Sequence, residues 1–161
     1  MSVSARDYRG ALANLAGGVV IVTTSDWRGQ PRGMTATAVC SVSIEPPLVM
    51  ACVHREAATH RAIGHSRAFA LNLLPARSED LARRFASSRR AKFDGLRTET
   101  GETGAPILAD AMAHCECKVE RAVDAGDHTI YIGRVLEVGY EKGEERPPLL
   151  YFRGGYRSIA P

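Results

Sequence analysis

Between residues 33 and 48 apolar and hydroxylic side chains alternate. Met34, Ala36, Ala38, Cys40, Val42 and Ile44 are apolar, Thr35, Thr37, Ser41 and Ser43 carry hydroxyls, and Val39 breaks the row. Successive side chains of a strand point to opposite faces. The pattern therefore predicts one strand with an apolar face and a face of short hydroxyls. Pro46-Pro47 ends it, because proline has no N–H for a ladder. Short hydroxyls leave room for a ligand to lie against the backbone and exchange hydrogen bonds. They also suit a plain amphipathic strand, since threonine is a good strand former. The pattern admits both readings.

The same reading extends along the chain. Residues 5–16 are predicted helical, with Tyr8, Leu12 and Leu15 at helical spacing and Gly17-Gly18 as the stop. The β-branched run 19–24 predicts a strand buried on both faces. The turn composition of 25–31 joins it to the alternating strand as a hairpin. A strand over 48–53, a short helix over 57–65 and a strand over 68–74 follow. Ser78, followed by Glu79 and Asp80, predicts an N-cap for a helix whose apolar side is Leu81 and Phe85. Residues 87–104 are basic, then polar, and read as a long excursion without elements of its own. Strands over 112–123, 128–139 and 149–152 close the chain, with a charged loop over 141–148. Six or seven strands joined mostly by turns predict a mainly β fold, an antiparallel barrel rather than a doubly wound sheet. No G-x-G-x-x-G follows a strand, which argues against a Rossmann site.

Length and composition narrow this picture. The 161 residues suit a single domain, 1–161, and 45% hydrophobic with 24% charged residues is ordinary for a globular protein. A net charge of +3 would welcome an anionic ligand without demanding nucleic acid. No run reaches transmembrane length and the N-terminal residues lack a signal-peptide core, so a cytoplasmic protein without membrane association is expected. Cys40, Cys52, Cys115 and Cys117 fall in apolar runs without metal-ligand spacing and read as reduced core residues.

Candidate chemistry converges on a flat anion. Arg83, Arg84 and Lys92 flank Phe85 and Phe93, pairing cations suited to phosphate with aromatic faces suited to rings. A solvated helix face followed by a charged loop would give the same composition. His128, after Gly126-Asp127, enters a strand at its turn end and is either a structural histidine or a functional one. The segment 151–157 is aromatic, basic and glycine-containing, and either ties the tail down or reaches over a pocket. No nucleophile is paired with a base, no metal spacing occurs and no acid pair shares a helix. That fits an enzyme whose cofactor carries the chemistry.

In this order, Gly33-Met34-Thr35-Ala36-Thr37-Ala38 through Ser43-Ile44-Glu45-Pro46-Pro47-Leu48, then Phe69 to Leu74, Arg84-Phe85, Lys92-Phe93, Gly126-Asp127-His128 and Tyr151 to Tyr156 resemble the flavin reductase-like domain family. These are short-chain NAD(P)H:flavin oxidoreductases that serve as reductase components of two-component flavin monooxygenases. The resemblance implies an FMN-binding split β-barrel of Greek-key-like order, a homodimer, and reduction of FMN or FAD by NADH or NADPH. It implies flavin contacts from Met34, Thr35, Ala36, Thr37, Ser43, Cys52, Val53, Thr59, Asn72, Arg84, Phe85, Lys92 and Phe93. His128 and Tyr156 fall on the nicotinamide side, with His128 the catalytic-side candidate holding the dinucleotide. Ala57 and Ala58 stand where many relatives carry a small polar residue, which leaves Thr59 as the hydroxyl for the phosphate. Gly155 stands where many carry arginine. The rival expectations are a split-barrel flavoprotein acting on a corrinoid, ferric chelate or azo acceptor, and a flavin- or haem-binding carrier without turnover.

Overall fold

The computed structural model describes residues 3–141 and 146–159; the middle of the charged loop expected over 141–148 lies outside them. The chain runs α1 (Ala5–Leu12), β1 (Gly17–Gly18), β2 (Val20–Ser25), β3 (Pro31–Ala36), β4 (Val39–Ser43), β5 (Leu48–His54), α2 (Ala58–Ser66) and β6 (Ala68–Leu73). It continues through α3 (Glu79–Ala86), β7 (Thr98–Thr100), β8 (Pro106–Leu108), β9 (Ala113–Ala125), β10 (His128–Tyr140), β11 (Leu149–Phe152) and β12 (Gly155–Ser158). Seven strands form one antiparallel sheet in the order β3-β2-β6-β9-β10-β5-β4. Its two ends, β3 and β4, are consecutive in sequence but not paired with each other, so the sheet curls without closing. β1, β11 and β12 form a second small sheet. The fold is mainly β and antiparallel, as the strand pattern predicted.

β2 shows why its run is β-branched and buried from Val20 to Thr24. Val20 and Val22 enter one core cluster with Ala51, Val53, Ile63, Phe69 and Tyr131, while Val19 and Ile21 enter another with Leu74, Ala82 and Phe85. The strand is a wall between two cores, and neither face sees water. The long hairpin of β9 and β10 turns at Gly126, whose φ of 63° is the left-handed geometry glycine takes without strain.

The alternating segment is not one strand. It bends at Thr37 and Ala38, where the Ala38 carbonyl accepts from the Cys52 N–H and passes the chain from β3 to β4. The faces turn over at the bend. Met34 and Ala36 face the core from β3, but from β4 it is Val39, the residue that broke the row, that packs there. Val42 and Ile44 stand 48% and 92% exposed, and Cys40 is exposed too, against the expectation of a buried apolar face and of four core cysteines. Of those cysteines Cys117 is buried, and burial pushes its thiol up to about 12.

Three local expectations also change. α1 stops at Leu12, and Tyr8, Leu12 and Leu15 lie exposed on it and just beyond it. The Ser78 hydroxyl caps nothing, because a 3-10 turn over Ala76–Ser78 runs straight into α3. The excursion 87–104 has an element after all: β7 pairs with β8, and the turn between them is pinned from β9. There the buried Glu116 carboxylate accepts from the Glu102 N–H at 3.1 Å, the Thr103 N–H at 2.6 Å and the Thr103 hydroxyl.

Candidate functional site

β3 is an edge strand, so every second residue of it turns its N–H and C=O away from β2. Val19, on the neighbouring strand side, bonds across to Leu74, which sets the alternation of the ladder: Thr24, Val22 and Val20 bond to Arg32, Met34 and Ala36. Gly33 and Thr35 therefore present their backbone groups outward. The Gly33 carbonyl confirms the phase by accepting from the Lys92 ammonium at 3.3 Å.

Around this edge lies a cavity of about 540 Å³, within the range of ordinary small-molecule sites. Its walls come from three places. β3 supplies Arg32, Gly33, Met34 and Thr35. The end of α3 and the following loop supply Phe85 to Arg90 and Lys92-Phe93. The start of α2 supplies Glu56 to Thr59. Two smaller hollows adjoin it, one along β3 and one between the end of α3 and the C-terminal strands. One, of about 210 Å³, is lined by Val19, Thr35, Ala36, Thr37, Ala86, Tyr151 and Tyr156; the other, of about 320 Å³, by Arg83, Ser87, Tyr151, Gly155 and Tyr156 among others.

Gly33 is needed for this shape. A Cβ there would stand 2.8 Å from Phe85 Cε1 and 3.2 Å from Phe93 Cζ. The two rings meet edge to face with centroids 4.9 Å apart. The Lys92 ammonium bridges this floor, donating also to the Phe85 carbonyl at 2.7 Å, and its burial pulls its pKa below the usual lysine value. At the other wall α2 begins without a cap: Ala57 has no side chain to offer, and no acid sits in the first turn. Its free N–H groups and the Thr59 residue open onto the cavity, which is the geometry that binds an anion. Arg89 and Arg90 line the same space. Arg32 is held at the rim by Asp26, whose Oδ2 accepts from Nε at 3.1 Å and from a terminal nitrogen at 2.7 Å.

A flavin with its phosphate fits this donor set. A glycine and small residues leave the β3 shelf open, outward N–H groups match a carbonyl-edged ring, and the uncapped helix start with nearby cations matches a phosphate.

Of the residues expected there, Met34, Thr35, Thr59, Phe85, Lys92 and Phe93 line the main cavity, and Ala36, Thr37 and Tyr156 line its continuation. Others are elsewhere. Asn72 is fully buried, donating to the Ile21 carbonyl and Thr23 Oγ1 and accepting from the Leu108 N–H, so its amide is committed to the core. Arg84 points away from the cavity and donates to the Ala91 and Asp94 carbonyls, bracing the loop from behind. Adjacent helical residues lie about 100° apart, and Phe85 has taken the inward position. Val53 is core. Cys52 lies beside Met50 and His54 on the opposite face of β5, and Ser43 sits past a bulge at the far end of β4. His128 and Tyr156 share no cavity. His128 Nδ1 donates to Asp127 Oδ1 at 2.7 Å and packs edge-on against His54 at 5.0 Å, whose Nδ1 accepts from the Glu56 N–H at the cavity rim. Sequence reasoning missed Arg32, Glu56 and Tyr151 as lining residues and placed Arg89-Arg90 only in an unstructured excursion. The basic run of that excursion was the available signal.

The sequence matches the family described as "Flavin reductase like domain" over residues 12–160. It is 42% identical over 141 residues to a flavin reductase (NADH) of Kitasatospora aureofaciens, covering 86% of this chain and 73% of that protein. It is 36% identical over 160 residues to the reductase subunit HsaB of a flavin-dependent monooxygenase of Rhodococcus jostii, covering 99% and 80%. Among solved structures, the Streptomyces globisporus NADH:FAD oxidoreductase SgcE6, in complex with NAD and FAD fragments, superposes with a TM-score of 0.90 at 36% identity, covering 100% of this chain and 98% of that one.

Proposed function

The chain belongs to the flavin reductase-like domain family, and from that premise we propose that it is an NADH-dependent reductase of FMN or FAD that supplies reduced flavin to a partner monooxygenase. The observation that carries this reading is the edge of β3: an open shelf of small residues with unpaired N–H groups, running from an anion-binding helix start to an aromatic-lined hollow. When bound, flavin supplies the ring that accepts a hydride from the nicotinamide. The protein's part is position. The outward N–H group of Thr35 would hold the polar edge of the ring and stabilise negative charge there, with Thr37 at the bend beside it. The start of α2, Thr59 and the arginines hold the phosphate. Phe85 and Phe93 exclude water beneath the ring. No side chain in the cavity needs to act as acid or base, so side-chain truncations there act mainly through binding. Tyr156, packed against Tyr151 at 5.3 Å and beneath Arg83 at 4.9 Å, closes the far end where a nicotinamide would enter. In this reading His128, packed on the His54 that adjoins the Glu56 rim, would hold the rest of the dinucleotide.

The active species is a homodimer in this reading. Met50 and Cys52 of β5 and Ile130 and Ile132 of β10 form one outward row, since their alternate neighbours Ala51, Val53 and Tyr131 fill the core. Cys40, paired with Met50, extends the row onto β4, and Val42 and Ile44 stand exposed around the bulge that follows. An apolar face of this extent marks an interface, and a second copy of the chain is its occupant.

The test is direct. Purified protein is assayed for NADH and NADPH oxidation with FMN, FAD and riboflavin, and without oxygen for bleaching of the flavin. NADH-driven bleaching is expected. Flavin binding with no bleaching supports a carrier instead, and turnover only with a ferric chelate or corrinoid supports the other rival.

A further inference from the structure

The outward row shared by β5 and β10 ends in two imidazoles. The register pairs Met50 with Ile132, Cys52 with Ile130 and then His54 with His128, the last residue of β5 against the first of β10. The two rings meet edge to face, with centroids 5.0 Å apart and an interplanar angle of 82°. Both face one carboxylate. His128 Nδ1 donates to Asp127 Oδ1 at 2.7 Å, and His54 Nε2 stands 3.9 Å from Oδ2. The hydrogen bond from His128 holds the Asp127 carboxyl below its usual value, so the group is ionised and only accepts. The Arg55 N–H donates to the Asp127 carbonyl at 3.0 Å, which fastens the β9–β10 turn to the end of β5.

These bonds set both tautomers. The Glu56 N–H donates to His54 Nδ1 at 3.2 Å, so neutral His54 carries its proton on Nε2, toward Asp127. Neutral His128 carries its proton on Nδ1, which leaves Nε2 bare, and among the described residues no protein group bonds that nitrogen. A bare imidazole nitrogen accepts from an amide or hydroxyl and disfavours a phosphate oxygen. His54 does not line the cavity, but Glu56, whose N–H it accepts, does. We propose that His54 is a positioning residue for the dinucleotide side: anchored at the cavity rim by the Glu56 N–H, its ring fixes that of His128 so that Nε2 is presented to an amide or hydroxyl donor. The carboxamide and the ribose hydroxyls are the groups of a nicotinamide dinucleotide with that chemistry. The proposal rests on the reading that His128 holds the dinucleotide, and deepens it by naming what orients His128 and what His128 accepts from.

Nitrogen NMR of the imidazoles in the ligand-free protein, at a pH of about 8.5 where an ordinary histidine is neutral, reads the tautomers directly. His54 is expected with its proton on Nε2 and His128 with its proton on Nδ1. In His54→Ala the His128 signals are expected to move toward a mixture of the two forms. In steady state, His54→Ala is expected to raise KM for NADH about fivefold, the scale of one lost hydrogen bond or aromatic contact. Its kcat and KM for FMN are expected to stay within about twofold of the wild type. His54→Phe, which keeps a ring edge against His128, is expected to restore most of the KM for NADH. In a His128→Ala background, His54→Ala is expected to add nothing, because it acts only through His128. The proposal is overturned if wild-type His128 carries its proton on Nε2, if His54→Ala leaves KM for NADH unchanged, if it raises KM for FMN equally, or if the two substitutions add. Failure of the underlying reading looks different: His128→Ala alone would then leave KM for NADH unchanged.

Discussion

Gly33→Ala isolates the one position where the shelf must have no side chain. Its backbone is not in the left-handed region, so alanine is conformationally acceptable there and only space is at issue. The added methyl would meet Phe85 Cε1 at 2.8 Å, Phe85 Cδ1 at 3.0 Å and Phe93 Cζ at 3.2 Å. Phe85, carried by α3 and packed with Ile21 of β2, is fully buried and cannot withdraw, whereas Phe93 is only partly buried and can. Overpacking of this kind costs about 1–3 kcal/mol, or a fall in Tm of about 2–12 °C for a domain of this size. Relief by Phe93 disturbs the cavity floor and the neighbouring Lys92 bridge. Loss of one ordered aromatic contact, about 1 kcal/mol, weakens flavin binding about fivefold. The control is Gly64→Ala, in α2, where a Cβ meets nothing within 4 Å. That change is expected to stabilise by about 0.5–1 kcal/mol through helix propensity. Thermal melts and flavin titration of both variants decide the matter. Should the two glycine variants melt alike and bind flavin alike, the close packing of β3 on Phe85 and Phe93 is not what shapes the site.

Three further outcomes follow from named contacts. Thr59→Ala is expected to weaken FMN by about tenfold or more, the scale of a hydrogen bond to a charged group, and riboflavin far less, since riboflavin has no phosphate; equal losses for both would remove Thr59 from the phosphate. Glu116→Gln replaces an acceptor that serves three donors with a group that faces two N–H groups with an amide. It is expected to cost about 1–3 kcal/mol and to speed hydrogen exchange at Glu102 and Thr103. Unchanged exchange there would show that the turn holds without its carboxylate. His60 is held below its usual pKa by burial, then by the Arg55 charge, with Asp124 opposing. The unfolded state therefore binds more protons in the window below 6.5, and stability falls as pH drops through that window. The dependence of Tm on pH there is expected to flatten in His60→Gln, and an identical dependence in the variant would assign the effect to another group.

How much of this was legible in the residues depended on whether a pattern reports contact or only periodicity. The β2 run, the hairpin after it and the long β9–β10 pair were legible, because composition and turn residues agree locally. The phosphate wall was half legible. Thr59 was picked as the hydroxyl left after Ala57 and Ala58, but the stronger feature is the pair of alanines themselves, which leave the helix start uncapped and its N–H groups open. Asn72 entered only through the resemblance, and its amide instead joins β2, β6 and β8 through three hydrogen bonds.

The segment from Met34 to Ile44 carries the sharper lesson. A two-residue period survives a bend unchanged, yet the bend at Thr37-Ala38 turns the strand over, so parity names a face without saying which way it points. The one signal of the turnover was Val39. Inward apolar positions run 34, 36, 39, and the extra residue in that spacing is the bend. Beyond it Cys40 faces out beside Met50 and Ile132, and the apolar Val42 and Ile44 stand exposed around the bulge that follows. A hydrophobic stripe looks the same in a sequence whether its own chain covers it or another does. The half of the pattern that failed to predict burial within the chain is thus the half we assign to a second copy. Charged substitutions at Val42 and Ile44 separate the cases: they are expected to yield a folded monomer by light scattering, and a folded dimer of unchanged mass would leave that face unassigned.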